Sequence, residues 1–320
     1  MAFKEMAPDM ERASTGDEYP HLSALVKAAK ACGPIRVAIA YPCDEPSISA
    51  AIQASQVGLI VPILVGPRAR IESAAAQGGI DISAAELHDT ADDPKTAAVQ
   101  AAGLCRDGKA AALMKGSLHT DELLAAAVSH DAGLRSGQRA SHAFVMDVPG
   151  FNRPLVFTDC VVNIEPGLME KRDIAQNAIK FAHAIGIAQP KVAILSAIET
   201  INPAISSTLD AAALCKMADR GQITGAVLDG PLAFDNAISA ASANKKGIVS
   251  LVAGCPDVLL VPNLEAGNML YKQLVYMAGA ECAGLVLGMR VPIILTSRSD
   301  SVRARITSCA LAVLMHARAS

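Results

Sequence analysis

Short apolar runs rich in β-branched residues alternate with longer amphipathic runs along most of the chain. The short runs predict strands at 35–41, 59–65, 110–114, 142–148, 155–157, 192–195, 225–228, 258–261, 284–287 and 291–295. The longer runs predict helices at 22–31, 46–56, 68–77, 95–106, 121–128, 168–185, 202–220, 235–243, 266–278 and 301–318. Apolar strands that alternate with helices are typical of parallel sheets covered by helices on both faces, so the pattern predicts an α/β fold.

Turn-forming residues support these boundaries. Gly66-Pro67 is predicted to end a strand and open a helix, and Asn202-Pro203 is predicted to cap the helix at 202–220. Gly186 and Gly221 are expected just after helix ends. The segment 149–154, rich in Pro and Gly, predicts a crossing between domains. Because the last strand and helix can return to the start of the fold, we predict a discontinuous first α/β domain, 1–148 plus 291–320, and a second α/β domain, 149–290.

Composition excludes several classes of protein. Of 320 residues, 52% are hydrophobic, only 3% are aromatic, and the formal net charge is -3. A disordered chain has low hydrophobicity and high charge, and a nucleic-acid binder needs basic grooves with stacking aromatics. We therefore expect a folded protein with an aliphatic core that binds no nucleic acid.

Targeting signals and metal motifs do not emerge from the sequence. Residues 1–20 are polar and mixed in charge, unlike a signal peptide, and no window has 18 uninterrupted apolar residues, so no membrane span is expected. The eight Cys form no C-x-x-C pair, which predicts reduced thiols in the cytoplasm and no zinc site. The chain also lacks G-x-G-x-x-G after a strand, the P-loop motif, G-x-S-x-G and H-E-x-x-H.

The segment 296–301, T-S-R-S-D-S, lies between the last predicted strand and helix. Ligands often bind at the carboxyl ends of strands in α/β sheets, and a helix start supplies free N–H groups for an anion. Arg298 matches a phosphate geometrically, and Asp300 can act as a general base. The alternative is ordinary helix capping by Ser and Asp with a surface arginine.

Four further polar loops also follow predicted strands. Lys115, Ser117, His119 and Thr120 form a possible phosphate cradle, or a polar loop with Thr120 as a cap. Asn268 and Lys272 share one helix face, either toward a ligand or toward solvent. The loops 158–164, with Asn163, and 228–235 are weaker candidates. Their common position after strands suggests one shared cleft.

At these residues the chain resembles the phosphate acetyltransferase and phosphate butyryltransferase family. The resemblance covers most of residues 110–320, in order and spacing, through LMKGSLHTDELL, SHAFVMDVPG, FTDCVVNIEP, AILSAIETINP, STLDAAALCKMADRGQITGAVLDGPLAFDNAIS, VLLVPNLEAGNMLYKQLVYMAGAECAGLVLG and VPIILTSRSDS. It implies two α/β domains with parallel-rich sheets, as in the isocitrate and isopropylmalate dehydrogenases, with the active site in the interdomain cleft.

The resemblance also implies a reaction and its residues. Acyl-CoA and phosphate would interconvert with acyl phosphate and CoA, by direct thiolate attack in a ternary complex. Arg298 would hold the phosphoryl group, Ser297 would stabilise developing charge, and Asp300 is the carboxylate nearest to the family's base. The substrate-binding residues would be Lys115, Ser117, His119, Thr120, Asn163, Asn268, Lys272 and Thr296. The chain has Ala304 where acetyl-specific members place the base, and Ala125 where relatives often carry Arg.

Further expectations concern partners and specificity. CoA is a substrate, no cofactor or metal is expected, and the second domain is predicted to form a homodimer. With no Trp, the adenine of CoA is expected against aliphatic side chains and arginine stems. The S-R-S-D-S form is closer to the butyryl branch, and acetyl or butyryl preference stays open. The alternative functions are a nucleotide-dependent oxidoreductase of similar architecture and an inactive CoA-binding protein.

Overall fold

The computed structural model describes residues 17–295 and 300–319. Within these ranges the strands are β1 (Ile35–Ala40), β2 (Ile60–Gly66), β3 (Glu86–Asp89), β4 (Ala112–Lys115), β5 (Ser141–Asp147), β6 (Leu155–Thr158), β7 (Lys191–Leu195), β8 (Val227–Leu232), β9 (Val258–Leu260), β10 (Glu281–Leu287) and β11 (Ile293–Ile294). The helices are α1 (Pro20–Cys32), α2 (Glu45–Gln56), α3 (Arg68–Gln77), α4 (Pro94–Arg106), α5 (Thr120–Val128), α6 (Leu168–Ala184), α7 (Ser206–Asp219), α8 (Phe234–Ile238), α9 (Ala240–Lys245), α10 (Leu264–Ala278) and α11 (Val302–Ala319).

All described strands join in one sheet in the order β3-β2-β1-β4-β11-β10-β5-β6-β9-β7-β8. The first block, β3 to β11, is parallel, and so is the last block, β6 to β8. Between them β10 pairs antiparallel with both β11 and β5, and β5 pairs antiparallel with β6. The two blocks therefore run in opposite directions, and their carboxyl ends lie at opposite edges of the sheet.

Helices cover both faces of this sheet, which confirms the predicted α/β class. One face packs against α1, α2, α3, α6, α7 and α11 in a single apolar cluster. The other face carries two separate clusters, one under α4 and α5 and one under α8 and α10. The gap between these two clusters lies over the antiparallel strands at the centre of the sheet.

Local sequence explains most element boundaries. The side chains of Asp44, Asp93 and Asn263 accept hydrogen bonds from backbone N–H groups at the starts of α2, α4 and α10, as helix caps do. Gly186 and Gly221 have positive φ after α6 and α7, as predicted.

Several predicted boundaries are wrong. The helix predicted from Asn202 begins at Ser206, because the Asn202 side chain accepts the N–H of Ala204 in a turn. The helix predicted at 235–243 is split at Ser239, which caps α9. Strand β8 continues through the segment 229–232 that was predicted as a turn, and β3 was missed.

The predicted division at 148/149 and 290/291 falls inside a continuous sheet, where β5 pairs with β6 and β10. The division into two domains stays a prediction. No helix in the described ranges has the length and apolar character to cross a membrane.

Candidate active site

The two apolar clusters of the open face meet over β10. On this face β10 presents Cys282, Gly284 and Val286, since side chains alternate along a strand. Cys282 packs with the cluster under α10, and Val286 with the cluster under α5. A Cβ on Gly284 would lie 2.6 Å from the His142 ring and 2.8 Å from Phe144. The absent side chain therefore lets two rings of β5 close the floor between the clusters. We call this floor, with its walls α5 and α10, the central cleft.

Three rings form a continuous stack along the floor. The His142 and Phe144 centroids lie 4.4 Å apart at 64°, and Phe144 lies 4.7 Å from Tyr271 on α10. His142 is only 2% exposed, and its Nδ1 has no hydrogen-bond partner in the structure. Burial lowers the pKa of His142 to about 4, although the Asp159 carboxylate acts in the opposite direction. The ring is therefore neutral near pH 7.

The end of β4 packs tightly against the end of β1. Gly116 N–H donates to the carbonyl of Ala40 at 2.9 Å, and a Cβ on Gly116 would collide with that carbonyl and with the one of Tyr41. The Ser117 hydroxyl donates to Tyr41 O at 2.8 Å and accepts from Cys43 N at 3.1 Å. Lys115 Nζ donates to the carbonyl of Gly116 at 3.1 Å. Lys115 and Ser117 thus hold the predicted phosphate loop in shape.

A polar triad supports this loop from the side of β1. Tyr41 has a left-handed backbone with φ 51, and its hydroxyl donates to Asp92 Oδ1 at 2.6 Å. Arg70 donates to the same hydroxyl at 2.6 Å and pairs with Asp92 at 3.0 Å. Burial, together with the Asp92 hydrogen bond, raises the pKa of Tyr41 to about 12. The triad therefore fixes the carbonyl of Tyr41 that receives Ser117.

Strand β11 enters the same sheet edge beside β4, because Ile294 is in register with Met114. Thr296, Ser297 and Arg298 follow, and these predicted site residues lie outside the described ranges. The chain resumes at Asp300. Burial first, then the Asp300 carboxylate, raises the pKa of Cys282 to about 12, and Asp300 also contributes to the raised pKa of Tyr271. Asp300 therefore lies near Cys282 and Tyr271.

Ser301 fixes the chain next to Asp300. Its hydroxyl accepts the N–H of Ala304 at 2.9 Å, which caps the start of α11, and donates to Glu281 at 2.8 Å. Adjacent strands lie about 4.8 Å apart, and the pairing sets Leu113 on β4 opposite Val286 on β10, so these two residues are about 10 Å apart across β11. The predicted loop 115–120 and the chain at Asp300 and Ser301 thus lie at the same edge of the sheet.

The predicted residues of α10 lie along one wall of the cleft. The Asn268 amide donates to the carbonyl of Cys160 at 3.2 Å, whereas Lys272, one turn later, is exposed. Because α10 starts beside Ile164 and ends near the start of β10, it spans the sheet from one edge to the other.

The loop after β6 leaves the opposite edge from Lys115, since β6 is antiparallel to the first block. Asp159 accepts three backbone N–H groups of residues 161–163 and the Asn163 amide at 2.6 Å. Asn163 is 2% exposed, and its carbonyl oxygen accepts from Arg139 at 2.8 Å. Asn163 therefore positions Arg139, and its direct contact with substrate stays a prediction.

The start of α5 carries the last two predicted residues. His119 is exposed, and its backbone N–H donates to the Glu122 carboxylate at 3.0 Å. Thr120 is the first residue of the helix. Both lie at the edge of the cleft occupied by Lys115.

A cavity of about 440 Å³ continues the cleft toward Asn163. Leu124, Val128, Val162 and Met289 supply apolar surface, and the lining also includes Ala125, Arg135, Gln138, Arg139 and Ala140. The lining thus combines aliphatic surface with arginine side chains. Arg135, Arg139 and Met289 were missed from the sequence, because nothing in their local pattern separates them from surface residues.

The thiols of the cleft are protonated. Burial raises the pKa of Cys43 to about 11, and burial, followed by the charge of Asp159, raises that of Cys160 further. All eight cysteines are free. Among the described residues no cluster of His, Cys, Asp or Glu could hold a metal ion.

Comparison with known proteins identifies the family. The model of the phosphate acetyl/butaryl transferase family matches residues 95–313. A phosphate acetyltransferase of Rhizobium meliloti is 55% identical over 294 residues, which are 92% of this chain and 93% of the relative. The chain belongs to this family. A phosphate butyryltransferase of Clostridium acetobutylicum is 44% identical over 88% of this chain and 93% of its own length.

Similarity to solved structures supports the same family. A branched-chain phosphotransacylase from Enterococcus faecalis superposes with a TM-score of 0.78 at 28% identity, covering 88% of this chain and 99% of the other. The activity is that of an acyltransferase, phosphate acetyl/butyryltransferase, whose substrates are acyl-CoA and phosphate. The oxidoreductase alternative is not favoured.

Proposed function

We propose that the chain transfers an acetyl group between CoA and phosphate, with the reacting atoms at the Asp300 end of the central cleft. The observation that carries this assignment is the position of the segment at Asp300: the next residue, Ser301, donates to Glu281 at the start of β10, at the sheet edge where β4 and β11 end. Ser297 and Arg298 precede it by three and two residues, so they are close to it along the chain.

In this proposal Arg298 binds the phosphoryl group through paired N–H donors, which match two phosphate oxygens. Ser297 donates to the carbonyl oxygen as negative charge develops there. The CoA sulfur forms a bond to the acyl carbon, the acyl–phosphate bond breaks, and the thiol proton leaves to a base. A thiol has a pKa of about 8.5, so the Asp300 carboxylate would accept its proton as a general base while the sulfur attacks.

CoA is elongated, and the cleft has the length to hold it. The seven residues of β10 span about 20 Å at about 3.3 Å per residue. The thiol would reach Asp300, and the adenine end would occupy the cavity of about 440 Å³ lined by Leu124, Val128 and Arg135. Lys115, Ser117, His119 and Thr120 would surround the phosphate, and Asn268 and Lys272 would contact the pantetheine arm from α10.

Arg298→Ala should lower kcat/KM for phosphate by at least about a hundredfold, because a bidentate charged contact to the transferred group is lost. Arg298→Lys keeps the positive charge but loses the paired N–H donors of the guanidinium, so its kcat/KM for phosphate should lie between those of the Ala variant and wild type. Phosphate-dependent release of CoA measures the rate, and thermal unfolding shows that the fold is intact. Near-normal activity of the Ala variant would refute the role of Arg298.

Asp300→Asn should lower kcat while leaving KM for CoA within about twofold, because the base acts only on the thiol proton. The pH profile should lose its acidic limb. An unchanged kcat would show that solvent or another group accepts the proton.

Acetyl specificity is proposed because the acetyltransferase relative is more similar than the butyryltransferase relative, at 55% against 44% identity. A panel of acyl-CoA substrates from acetyl to valeryl, each assayed with phosphate and with arsenate, tests it. A higher kcat/KM for butyryl-CoA than for acetyl-CoA would reverse the assignment.

We also propose a homodimer in the cytoplasm. Leu209 on α7 is 43% exposed and Ile201 before it is 60% exposed, and such exposed apolar residues favour a protein interface. The eight free thiols fit a reducing compartment. Leu209→Asp should convert the dimer into monomers, which light scattering measures. A wild-type chain of monomeric mass would refute the dimer.

A further inference from the structure

A second cavity, of about 710 Å³, lies at the sheet edge opposite Lys115 and Asp300. It opens where β1, β4 and β11 begin, with α6 on one side and the end of α11 on the other. Its volume is typical of sites for small organic ligands, which range from about 300 to 1,000 Å³. None of the described residues that were predicted for catalysis or substrate binding line it, although Gln138 and Met289 also line the cavity of about 440 Å³.

The charge of this cavity is one-sided. Its described lining includes the basic residues Arg36, Lys109, Lys180, Arg290 and His316, and no Asp or Glu. Lys180 donates to the neutral Gln138 at 3.0 Å, and Arg290 donates to the carbonyl of Gly133 at 3.2 Å.

Carboxylates near the cavity are engaged elsewhere. Glu86 pairs with Arg36, and Asp107 pairs with Arg106. Arg106 first, and Lys109 to a smaller extent, lower the pKa of Asp107. Within the described chain, Lys109, Lys180 and Arg290 form no ion pair. In a protein of net charge -3, three cations without carboxylate partners around one cavity favour a multiply charged anion.

The remaining lining indicates what else the anion carries. Apolar surface comes from Ile35, Val291 and Pro292, together with the thioethers of Met289 and Met315. Thioether sulfur makes favourable contacts with aromatic rings. A nucleotide has a planar base that can contact the apolar residues and a phosphorylated tail that can contact the basic residues. Inorganic phosphate can contact only the basic residues.

The cavity is connected to the proposed catalytic loop by a short strand. Residues 288–292 line the cavity, and they lead directly into β11, which has only two residues, Ile293–Ile294. The next described residue is Leu295, and Ser297 and Arg298 follow. The Ser136 hydroxyl also donates to the carbonyl of Gly288 at 2.6 Å. This hydrogen bond ties the segment around Ser136, which lines the cavity, to residues 288–292.

We propose that this cavity is a regulatory site for a nucleotide-sized organic phosphate, and that its occupant acts on Ser297 and Arg298 through β11. The regulatory part rests on the proposed roles of these two residues. The binding part does not, so the two can fail separately.

Calorimetric titration of the full chain with ADP, in the presence of saturating CoA, tests the site, because CoA then fills the central cleft. ADP should bind, and Lys109→Glu with Lys180→Glu should weaken its affinity by at least about tenfold, which is about 1.4 kcal/mol. Both lysines are exposed, so the double variant should keep the fold and a basal kcat within about twofold. Lys245→Glu, an exposed lysine on α9 away from the cavity, is the matched control and should bind ADP like wild type.

Three results would overturn the site: no binding of ADP to the CoA-saturated chain, equal affinity in the double variant, or pyrophosphate binding as tightly as ADP. For regulation, saturating ADP should change kcat or KM in wild type and not in the double variant. Binding of ADP without any change in rate would overturn the regulatory role.

Discussion

His142 makes the stability of this protein depend on pH between about 4 and 7. The ring lies at the floor of the central cleft, 2% exposed, with its Nδ1 unpartnered. Burial lowers its pKa to about 4, from the ordinary value of 6.5 for a histidine. In the unfolded chain the ring binds a proton at a higher pH than in the folded chain. Stability from the neutral ring is therefore fully present above about pH 6.5 and is lost as the pH falls toward 4.

The size of this loss follows from the two pKa values. A difference of about 2.5 pKa units corresponds to about 3 kcal/mol, since one unit is about 1.4 kcal/mol. Between pH 7 and pH 5 the free energy of unfolding should fall by about 2 kcal/mol through this residue, and by about 3 kcal/mol at pH 4. Such a loss is a large fraction of a typical stability of about 5–15 kcal/mol.

Urea unfolding at pH 7, 5 and 4 measures the effect in wild type and in His142→Gln, which keeps a neutral polar side chain that does not titrate. The variant is expected to be less stable at pH 7, but its free energy of unfolding should fall less on acidification. The difference between the two slopes isolates His142, because the other groups titrate in both proteins. His130→Gln changes a histidine whose side chain is 97% exposed and should keep the wild-type slope.

The reasoning is refuted if wild type and His142→Gln lose the same free energy of unfolding between pH 7 and pH 5. Equal losses would mean that the ring is protonated in the folded protein or that the floor of the cleft opens to water before the chain unfolds.

Three other changes test the packing. Gly116→Ala should cost about 1–3 kcal/mol of stability and lower activity, because its Cβ meets backbone carbonyls. Gly103→Ala, inside α4, where an added Cβ would meet only the Arg106 side chain at 3.8 Å, should be neutral or stabilising in urea unfolding. Labelling of the native chain with a thiol reagent should proceed first at the exposed Cys32, and loss of the fast phase in Cys32→Ser checks this. Lys171→Met should cost about 3–5 kcal/mol, because it leaves Asp210, now paired at 2.6 Å, without its partner, and replacing both residues by apolar ones should restore much of the stability.

Most of the fold could be predicted because its strands are short apolar runs covered on both faces. Strand β3 was missed since its sequence, Glu-Leu-His-Asp, is polar and lies at the edge of the sheet, where burial is partial. The turn at Asn202-Pro203 resembled a helix cap, and only tertiary packing shows that the side chain of Asn202 closes a turn instead. Local residues specify the type of element better than its ends.

The sequence did not reveal the full arrangement of the candidate site. The loops 115–120 and 296–301 were expected together, and the structure brings Lys115 and the chain at Asp300 to one sheet edge, whereas Thr296, Ser297 and Arg298 lie outside the described ranges. The loop around Asn163 was expected beside them, but it leaves the opposite edge, because β10 and β5 reverse the direction of the second block. Strand direction depends on pairing between distant segments, so a single strand pattern does not reveal it. Gly284 and His142 were not predicted as site residues for the same reason. Their contact across β10 and β5 becomes visible only once the two strands are paired.

The two anion sites at opposite ends of β11 interact through the backbone rather than through their charges. Strand β4 beside β11 has four residues, about 13 Å at about 3.3 Å per residue, which exceeds the Debye length of about 8 Å at physiological ionic strength. A ligand at Arg290 therefore adds little to the potential at Asp300, whereas residues 288–292 lead directly into Ile293 and Ile294, which precede Ser297 by four and three residues in the chain. Raising the salt concentration should weaken the affinity for ADP but leave the change in kcat at saturating ADP intact. If the change in kcat at saturation faded with salt in parallel with the affinity, the coupling would be electrostatic and β11 would not transmit it.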